Sequence, residues 1–237
     1  MSSDLVSRLR WRLSAAIQMQ RKRRLMDYAR PRLKVFCIGL NKTGTTSWAQ
    51  AISELGYIVG SETEATMLFD HWVRGDFRQI IKYCEIGGQA FQDVPFSLPN
   101  TYRALDQAFP GSKFILTVRD SPEQWYDSLT GFHSKCFSKS RNIPPSPKDI
   151  EDSIYWRRGF IADFCRLVFR TPENDPYNRD LLLAFYHQYN EEIVRYFSGR
   201  PDDFLIINVA KQSCYRDMCE FLGLRGSADN FPWKNKT

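Results

Sequence analysis

One short turn gathers groups that are suited to binding an anion. The segment Gly39-Leu-Asn-Lys42-Thr43-Gly44-Thr45-Thr46 follows an apolar run at residues 34–38 and precedes a stretch with helical spacing. A glycine-bracketed turn in that place directs successive backbone N–H groups into one concavity, and the helix adds the positive end of its dipole. This pattern predicts a phosphate-binding site formed by Asn41, Lys42, Thr43, Gly44, Thr45 and Thr46.

The lysine of this turn occupies an unusual place for a nucleoside-triphosphate loop. Gly39 and Gly44 have the spacing of the glycines in that loop, but its lysine directly follows the second glycine, whereas Lys42 comes before Gly44. A P-loop small-molecule kinase, with Asp93 or Asp120 binding magnesium, is therefore an alternative interpretation. A plain strand-to-helix turn with a threonine N-cap is another.

Two stretches of the chain resemble a known family. Lys42-Thr-Gly-Thr-Thr46 after an apolar strand is similar to the 5′-phosphosulfate loop of the sulfotransferases, which use 3′-phosphoadenosine-5′-phosphosulfate (PAPS); Asn41 replaces the usual proline. Phe114-Ile-Leu-Thr-Val-Arg119-Asp120 is similar to the family's second signature, in which the arginine binds the 3′-phosphate. The resemblance implies that role for Arg119, and a surface ion pair is its alternative role.

A serine on the next helix completes the 3′-phosphate site in that family. Ser128 comes into register if one residue is added before the helix. Ser121 has an explanation of its own, because Ser121-Pro122-Glu123-Gln124 is typical of a helix N-cap. The resemblance therefore favours Ser128, with Ser121 as the alternative.

The segment Gln92-Asp93-Val94-Pro95 is the candidate for the catalytic base. In the cytosolic sulfotransferases the corresponding strand end carries His, an apolar residue and Pro, and the His is the base; here Asp93 takes that place. A carboxylate can accept the proton of an acceptor if it is partly desolvated. The alternative is a capping Asp beside Pro95. None of the histidines, His71, His133 and His187, lies at a comparable strand end.

The resemblance implies transfer of a sulfuryl group from PAPS to a hydroxyl or amine, leaving adenosine 3′,5′-bisphosphate and requiring no metal. The acceptor stays open among small molecules, lipids and carbohydrates. We expect it to meet residues 131–150 and the helix after them, where Tyr155, Trp156, Arg157 and Arg158 would suit an aromatic or acidic acceptor. These four residues are equally typical of a solvated helix end. A non-catalytic nucleotide-binding protein on the same fold is a further alternative.

Apolar strands alternate with helical segments from Leu33 onwards, which predicts an α/β fold with a mostly parallel central sheet and helices on both faces. The resemblance makes this a three-layer P-loop fold in one domain, residues 33–237. We expect strands at 34–38, 57–59, 89–94, 113–118 and 204–209, and helices at 45–55, 150–169, 179–197 and 211–222. Residues 131–150, which include Ile143-Pro-Pro-Ser-Pro147, predict a long lid or acceptor loop.

The positive charge of the chain is concentrated at its start. The protein has 237 residues and a net charge of +6, and the first 33 residues contain nine basic and two acidic ones. Residues 1–32 predict a basic amphipathic helix, which could lie on an anionic membrane, although docking on its own domain or on a second subunit is favoured. The rest is near neutral, which argues against a nucleic-acid partner.

The cysteines and the hydropathy pattern indicate the compartment. No apolar run approaches the length of a membrane span, and the first thirty residues lack the apolar core of a secretory signal. The six cysteines form no CxxC pair and fall mostly in apolar segments. We therefore expect reduced thiols and a cytoplasmic protein, either free or at the membrane surface.

Overall fold

The central sheet has four parallel strands in the order β2-β1-β3-β4. Its strands are β1 (Val35–Cys37), β2 (Ala90–Phe91), β3 (Lys113–Thr117) and β4 (Phe204–Ile207). The computed structural model describes residues 33–139, 141–224 and 230–232, so the predicted helical extension at residues 1–32 lies outside the described residues. Because all pairs are parallel, the carboxyl ends of the strands meet at one edge of the sheet.

The helices cover both faces of this sheet. Within the described residues they are α1 (Thr45–Glu54), α2 (Glu62–Thr66), α3 (Phe69–Val73), α4 (Phe77–Gly87), α5 (Thr101–Ala108), α6 (Pro122–Phe137), α7 (Pro147–Asp152), α8 (Phe160–Phe164) with a π-helical continuation (Cys165–Phe169), α9 (Arg179–Tyr196) and α10 (Cys214–Phe221). The α/β fold with helices on both faces is therefore confirmed.

Alternate residues of the strands supply two separate cores. Phe36 and Phe114 point to the face covered by α4, α5, α6 and α9, whereas Cys37 and Ile115 point to the face covered by α1 and α10. This alternation is the period-two pattern of a strand that is buried on both sides. Trp48 of α1 is fully buried in the second core.

Every predicted strand is shorter in the structure, and two of them are much shorter. Residues 57–59 contribute only a single bridge, from Val59 to Ala90. The side chain of Gln89 accepts the N–H of Ile58 at 3.1 Å, so a side chain takes the place of a ladder partner there. The predicted strand at 89–94 is limited to β2, because Asp93 has a left-handed backbone (φ 64°) that turns the chain out of the sheet.

The loop predicted at residues 131–150 is wrong over most of its length. Helix α6 continues to Phe137, and α7 begins at Pro147, which leaves only residues 138–146 between helices. The start of α7 is fixed by a capping box, in which Ser146 and Asp149 satisfy each other's backbone N–H groups. The predicted helix at 150–169 is divided into α7, α8 and the π-helical segment.

The six cysteines are free thiols, and all except Cys136 are buried. Among the described residues, no helix has both the length and the hydropathy required to cross a membrane.

Candidate active site

Close packing forces the shape of the turn between β1 and α1. A Cβ at Gly39 would lie 2.1 Å from Oγ1 of Thr117, and one at Gly44 would lie 2.2 Å from Cγ2 of Val209. Gly44 also has φ 103° and Lys42 has φ 72°, so two residues of the turn adopt the left-handed conformation. The turn therefore lies directly against β3 and the end of β4.

Thr43 has a structural position in this turn. Its N–H and its hydroxyl both donate to the carbonyl of Leu40, at 3.2 and 2.6 Å, and its Oγ1 lies 2.6 Å from Oγ1 of Thr117. The side chain is 1% exposed and does not line the pocket described below. The predicted contact of Thr43 with the anion is therefore not supported by its place in the turn.

A pocket of about 140 Å³ opens beside the turn. Every other predicted site residue lines it, namely Asn41, Lys42, Gly44, Thr45, Thr46, Asp93, Arg119 and Ser128. The first N–H groups of α1 have no carbonyl one turn earlier in the helix, so they and the helix dipole favour an anion at this end.

The turn is tied to β3 and α6 through its own carbonyl oxygens. Nε of Arg119 donates to the carbonyl of Lys42 at 2.7 Å, and Nε1 of Trp125 donates to the carbonyl of Asn41 at 2.9 Å. The Arg119 guanidinium also donates from Nη2 to Oγ of Ser128 at 3.4 Å. Ser121 is the N-cap of α6 and accepts the N–H of Gln124. The geometry therefore joins Arg119 to Ser128 and leaves Ser121 as a cap.

Lys42 and Arg119 bring positive charge to this end of the pocket. The ammonium of Lys42 lies 3.5 Å from the ring centroid of Phe132. Burial lowers the pKa of Lys42, and the charge of Arg119 lowers it further. Burial also lowers the pKa of Arg119. An anion between these two cations would raise both pKa values again, because it would stabilise the charged form of each side chain.

Asp93 is held through one of its two carboxylate oxygens. Oδ1 accepts the side-chain N–H of Asn41 at 2.6 Å and the N–H of Val94 at 2.7 Å, and Ser97 in turn donates to Oδ1 of Asn41. Burial, and then the nearby charge of Glu62, raise the pKa of Asp93 to about 7. The carboxyl group is therefore suited to taking up a proton near neutral pH.

The other half of the pocket is mainly apolar and aromatic. Its walls come from α6, from α8 and the residues before it, from α2 and from the residue after Asp93, namely Leu129, Phe132, His133, Phe137, Tyr155, Phe160, Ile161, Phe164, Glu62, Thr66 and Val94. The sequence singled out Tyr155 by number, and six more of these residues lie in the ranges that were expected to meet the acceptor, namely Phe132, His133, Phe137, Phe160, Ile161 and Phe164. The spacing of Leu129, Phe132, His133 and Phe137 is helical and was the signal that could have revealed the α6 wall.

Three of the residues expected to meet the acceptor lie elsewhere. Arg157 pairs with Asp163 at 2.6 Å, and Arg158 pairs with Asp152. Neither arginine lines the pocket, and Trp156 does not line it either. The expectation of cationic groups for an acidic acceptor is therefore wrong for these residues, because neighbouring carboxylates bind both guanidinium groups.

His133 lines the pocket as a buried, neutral side chain. Its Nδ1 lies 2.7 Å from the hydroxyl of Tyr177. Burial, followed by the charge of Lys42, lowers the pKa of His133 to about 3. A ring with that pKa stays uncharged at neutral pH.

Asp120, a candidate magnesium ligand in the kinase interpretation, is not part of the pocket wall. Its Oδ1 accepts the side-chain N–H of Asn208 at 3.0 Å and lies 3.6 Å from the ammonium of Lys211. This carboxylate is therefore bound to the β4 end of the fold.

A comparison with known families agrees with this arrangement. The family model described as a sulfotransferase domain matches residues 34–237, which include every residue that lines the pocket. A search of the curated proteins finds no match. With most of its length matched by that model, the chain belongs to the sulfotransferase family.

Proposed function

We propose that the protein transfers a sulfuryl group from PAPS to a hydroxyl or amine of an acceptor, leaving adenosine 3′,5′-bisphosphate. Sulfuryl transfer in general follows from the family; the donor and the kind of acceptor are the proposal. The observation that carries it is one pocket with anion-binding groups at one end and Asp93, whose pKa is raised to about 7, beside them. The free thiols support a cytoplasmic setting.

The residues at the anion-binding end fit a donor with two phosphate groups. The N-terminus of α1 and Lys42 suit the 5′-phosphosulfate, and the pair formed by Arg119 and Ser128 suits a 3′-phosphate. When bound, PAPS would supply the sulfuryl group, whose bond to the 5′-phosphate oxygen breaks as a bond to the acceptor forms.

The protein groups then have separate tasks. Lys42 and the first N–H groups of α1 would stabilise the negative charge that builds on the leaving phosphate. Asp93 would accept the proton from the acceptor's O–H or N–H group. Asn41 and the N–H of Val94 hold Oδ1 of Asp93, so the carboxylate keeps one orientation during the transfer.

The test is the thermal stability of the protein with adenosine 3′,5′-bisphosphate, ADP or ATP–Mg. A ligand at a hundred times its dissociation constant adds about 2.7 kcal/mol. Stabilisation by the bisphosphate, followed by turnover with PAPS, supports the proposal. Stabilisation by ATP–Mg alone favours the kinase, whose glycine spacing the turn shares. Bisphosphate binding without turnover of any acceptor favours the non-catalytic protein.

A further inference from the structure

The acceptor half of the pocket combines a carboxylate with a wall of rings. Glu62, the first residue of α2, lines it together with Asp93. The rings around them come from Phe132, Phe137, Tyr155, Phe160 and Phe164. Aromatic faces bind apolar groups and cations, whereas they disfavour anions.

The Glu62 carboxylate is positioned by a buried amide. Nε2 of Gln92 donates to Oε2 of Glu62 at 3.1 Å, and Gln92 is 7% exposed. Oε1 of Gln92 has no hydrogen-bond partner among the described residues. A buried amide oxygen without a partner costs free energy. Because the Gln92 amide adopts this orientation despite that cost, we infer that its hydrogen bond to Glu62 determines the orientation.

Among the described residues, no cation forms an ion pair with Glu62. Among the described residues that line it, the cations are Lys42 and Arg119, and the guanidinium of Arg119 is bonded to the Lys42 carbonyl. Arg157 and Arg158 form ion pairs elsewhere. Lys42 lies against the Phe132 ring and acts on Asp93, so within the described part of the chain Glu62 is the pocket carboxylate without a cation beside it. Its negative charge would repel an acidic acceptor.

We infer that the acceptor is an alcohol with an apolar, ring-sized body and a positively charged amine, and that the amine binds Glu62 while the hydroxyl faces Asp93. This inference rests on the proposed function. The acceptor oxygen forms the new bond to sulfur, the bond between sulfur and the 5′-phosphate oxygen breaks, and the hydroxyl proton passes to Asp93. The ammonium keeps its proton because its nitrogen does not react.

Such an acceptor would also activate the base. The titratable groups that act on Asp93 are Glu62, Lys42, Tyr155 and Cys37, and the charge of Glu62 raises the pKa of Asp93 while that of Lys42 lowers it. An ammonium group beside Glu62 offsets the repulsion between the two carboxylates. The bound acceptor therefore lowers the pKa of Asp93 and increases its ionised fraction at neutral pH.

The test compares three matched alcohols that differ in one para substituent: 4-(aminomethyl)benzyl alcohol, 4-methylbenzyl alcohol and 4-(hydroxymethyl)benzoate. We expect kcat/KM to be about tenfold higher for the aminomethyl than for the methyl compound, as for one charge-assisted contact, and lowest for the benzoate. Glu62→Gln should remove the preference. Glu64→Gln is the control, because Glu64 belongs to the same helix but does not line the pocket.

The pH dependence gives a second readout, which a merely structural role of Glu62 would not change. In the unmodified protein the rising limb of kcat should lie at lower pH with the aminomethyl than with the methyl compound, because kcat reports the pKa of Asp93 in the enzyme with its acceptor bound. In Glu62→Gln the rising limbs for the aminomethyl and methyl compounds should coincide. They should lie at the lower pH because the charge that raises the pKa of Asp93 has been removed. The product should be a sulfate ester on oxygen.

Three results would overturn the inference: equal use of the methyl and aminomethyl compounds, a sulfamate product, or turnover of none of the three alcohols. Stabilisation by adenosine 3′,5′-bisphosphate is measured on the same samples. If the bisphosphate binds and the alcohols fail, the acceptor class is wrong and the donor proposal stands. If the bisphosphate does not bind, the proposed function itself fails.

Discussion

At the scale of single residues, the site depends on how Asp93 is held. The left-handed backbone at Asp93 turns the chain out of β2, and two hydrogen bonds then fix Oδ1. One of the two donors is the side chain of Asn41, which takes the place of a proline in the sulfotransferase loop that the sequence resembles. The loss of that proline and the use of an aspartate therefore belong to one local arrangement.

The first prediction concerns Asp93 as the base. Asp93→Asn removes the proton acceptor, so we expect kcat/KM to fall about 100- to 10,000-fold. In the unmodified protein kcat/KM should rise with pH to a plateau, with a midpoint at the raised pKa of about 7, because Asp93 is protonated below it. Asp127→Asn is the control, since Asp127 is exposed and outside the pocket. An unchanged rate in Asp93→Asn would contradict the assignment.

The second prediction concerns Lys42. Lys42→Ala removes a cation from the leaving-group side, and we expect kcat to fall about 100- to 1,000-fold, as for one oxyanion donor. Lys135→Ala, at an exposed lysine of α6 near Lys42, should retain nearly full turnover. Steady-state rates with PAPS measure both variants. Near-normal turnover in Lys42→Ala would remove that residue from the mechanism.

At the scale of elements, α6 connects the two halves of the site. Near its start, Trp125 contacts the turn between β1 and α1, and Ser128 contacts Arg119. Near its end, Phe132 and Phe137 line the aromatic part of the pocket. A shift of this one helix would therefore change both substrates' contacts together.

The third prediction tests that helix directly. Gly131 lies inside α6, and a Cβ there would meet nothing within 4 Å. Gly131→Ala should therefore raise the free energy of unfolding by about 0.5–1 kcal/mol, seen as a higher Tm. Gly159→Ala is the opposite control, because φ is 71° there and the change should lower Tm. A lower Tm in Gly131→Ala would speak against a helix at this position.

The elements around the site were predictable to different degrees. The strand, turn and helix at residues 34–55 follow from local signals: an apolar run, two glycines and a 3.6-residue period. The second half of α6 was not predicted because its buried positions include the polar residues His133 and Ser134. Polar residues at core positions weaken the apolar periodicity by which a helix is recognised in a sequence. Glu62 was not predictable, since only tertiary packing brings α2 to the pocket.

At the scale of the whole molecule, Asp93 links the site to stability, which is the fourth prediction. Its pKa is about 7 in the folded protein and near 4 when unfolded, so the folded state binds more protons between those values. The free energy of unfolding of the unmodified protein should therefore fall, relative to Asp93→Asn, as pH rises from 4 to 7. In that variant the amide oxygen can still accept both N–H groups.

Urea unfolding of both proteins at pH 5 and pH 8 measures this effect. The stability difference should move in favour of Asp93→Asn at pH 8. A constant difference would mean that the carboxyl group is not perturbed by folding. The exposed Asp127→Asn variant should follow the unmodified protein at both pH values.

The carbonyl oxygens of the turn between β1 and α1 have a consequence for when the site forms. The carbonyl of Leu40 accepts hydrogen bonds from within the turn. The carbonyls of Asn41 and Lys42 accept theirs from Trp125 and Arg119, which lie 84 and 77 positions further along the chain. Local sequence alone therefore cannot hold the turn in its binding shape, and closing such long loops has an entropic cost that only the packed sheet repays. We therefore expect the site to assemble late in folding, so that a partly folded chain lacks the anion-binding site. Ligand affinity and the native fold should then be lost in one cooperative step.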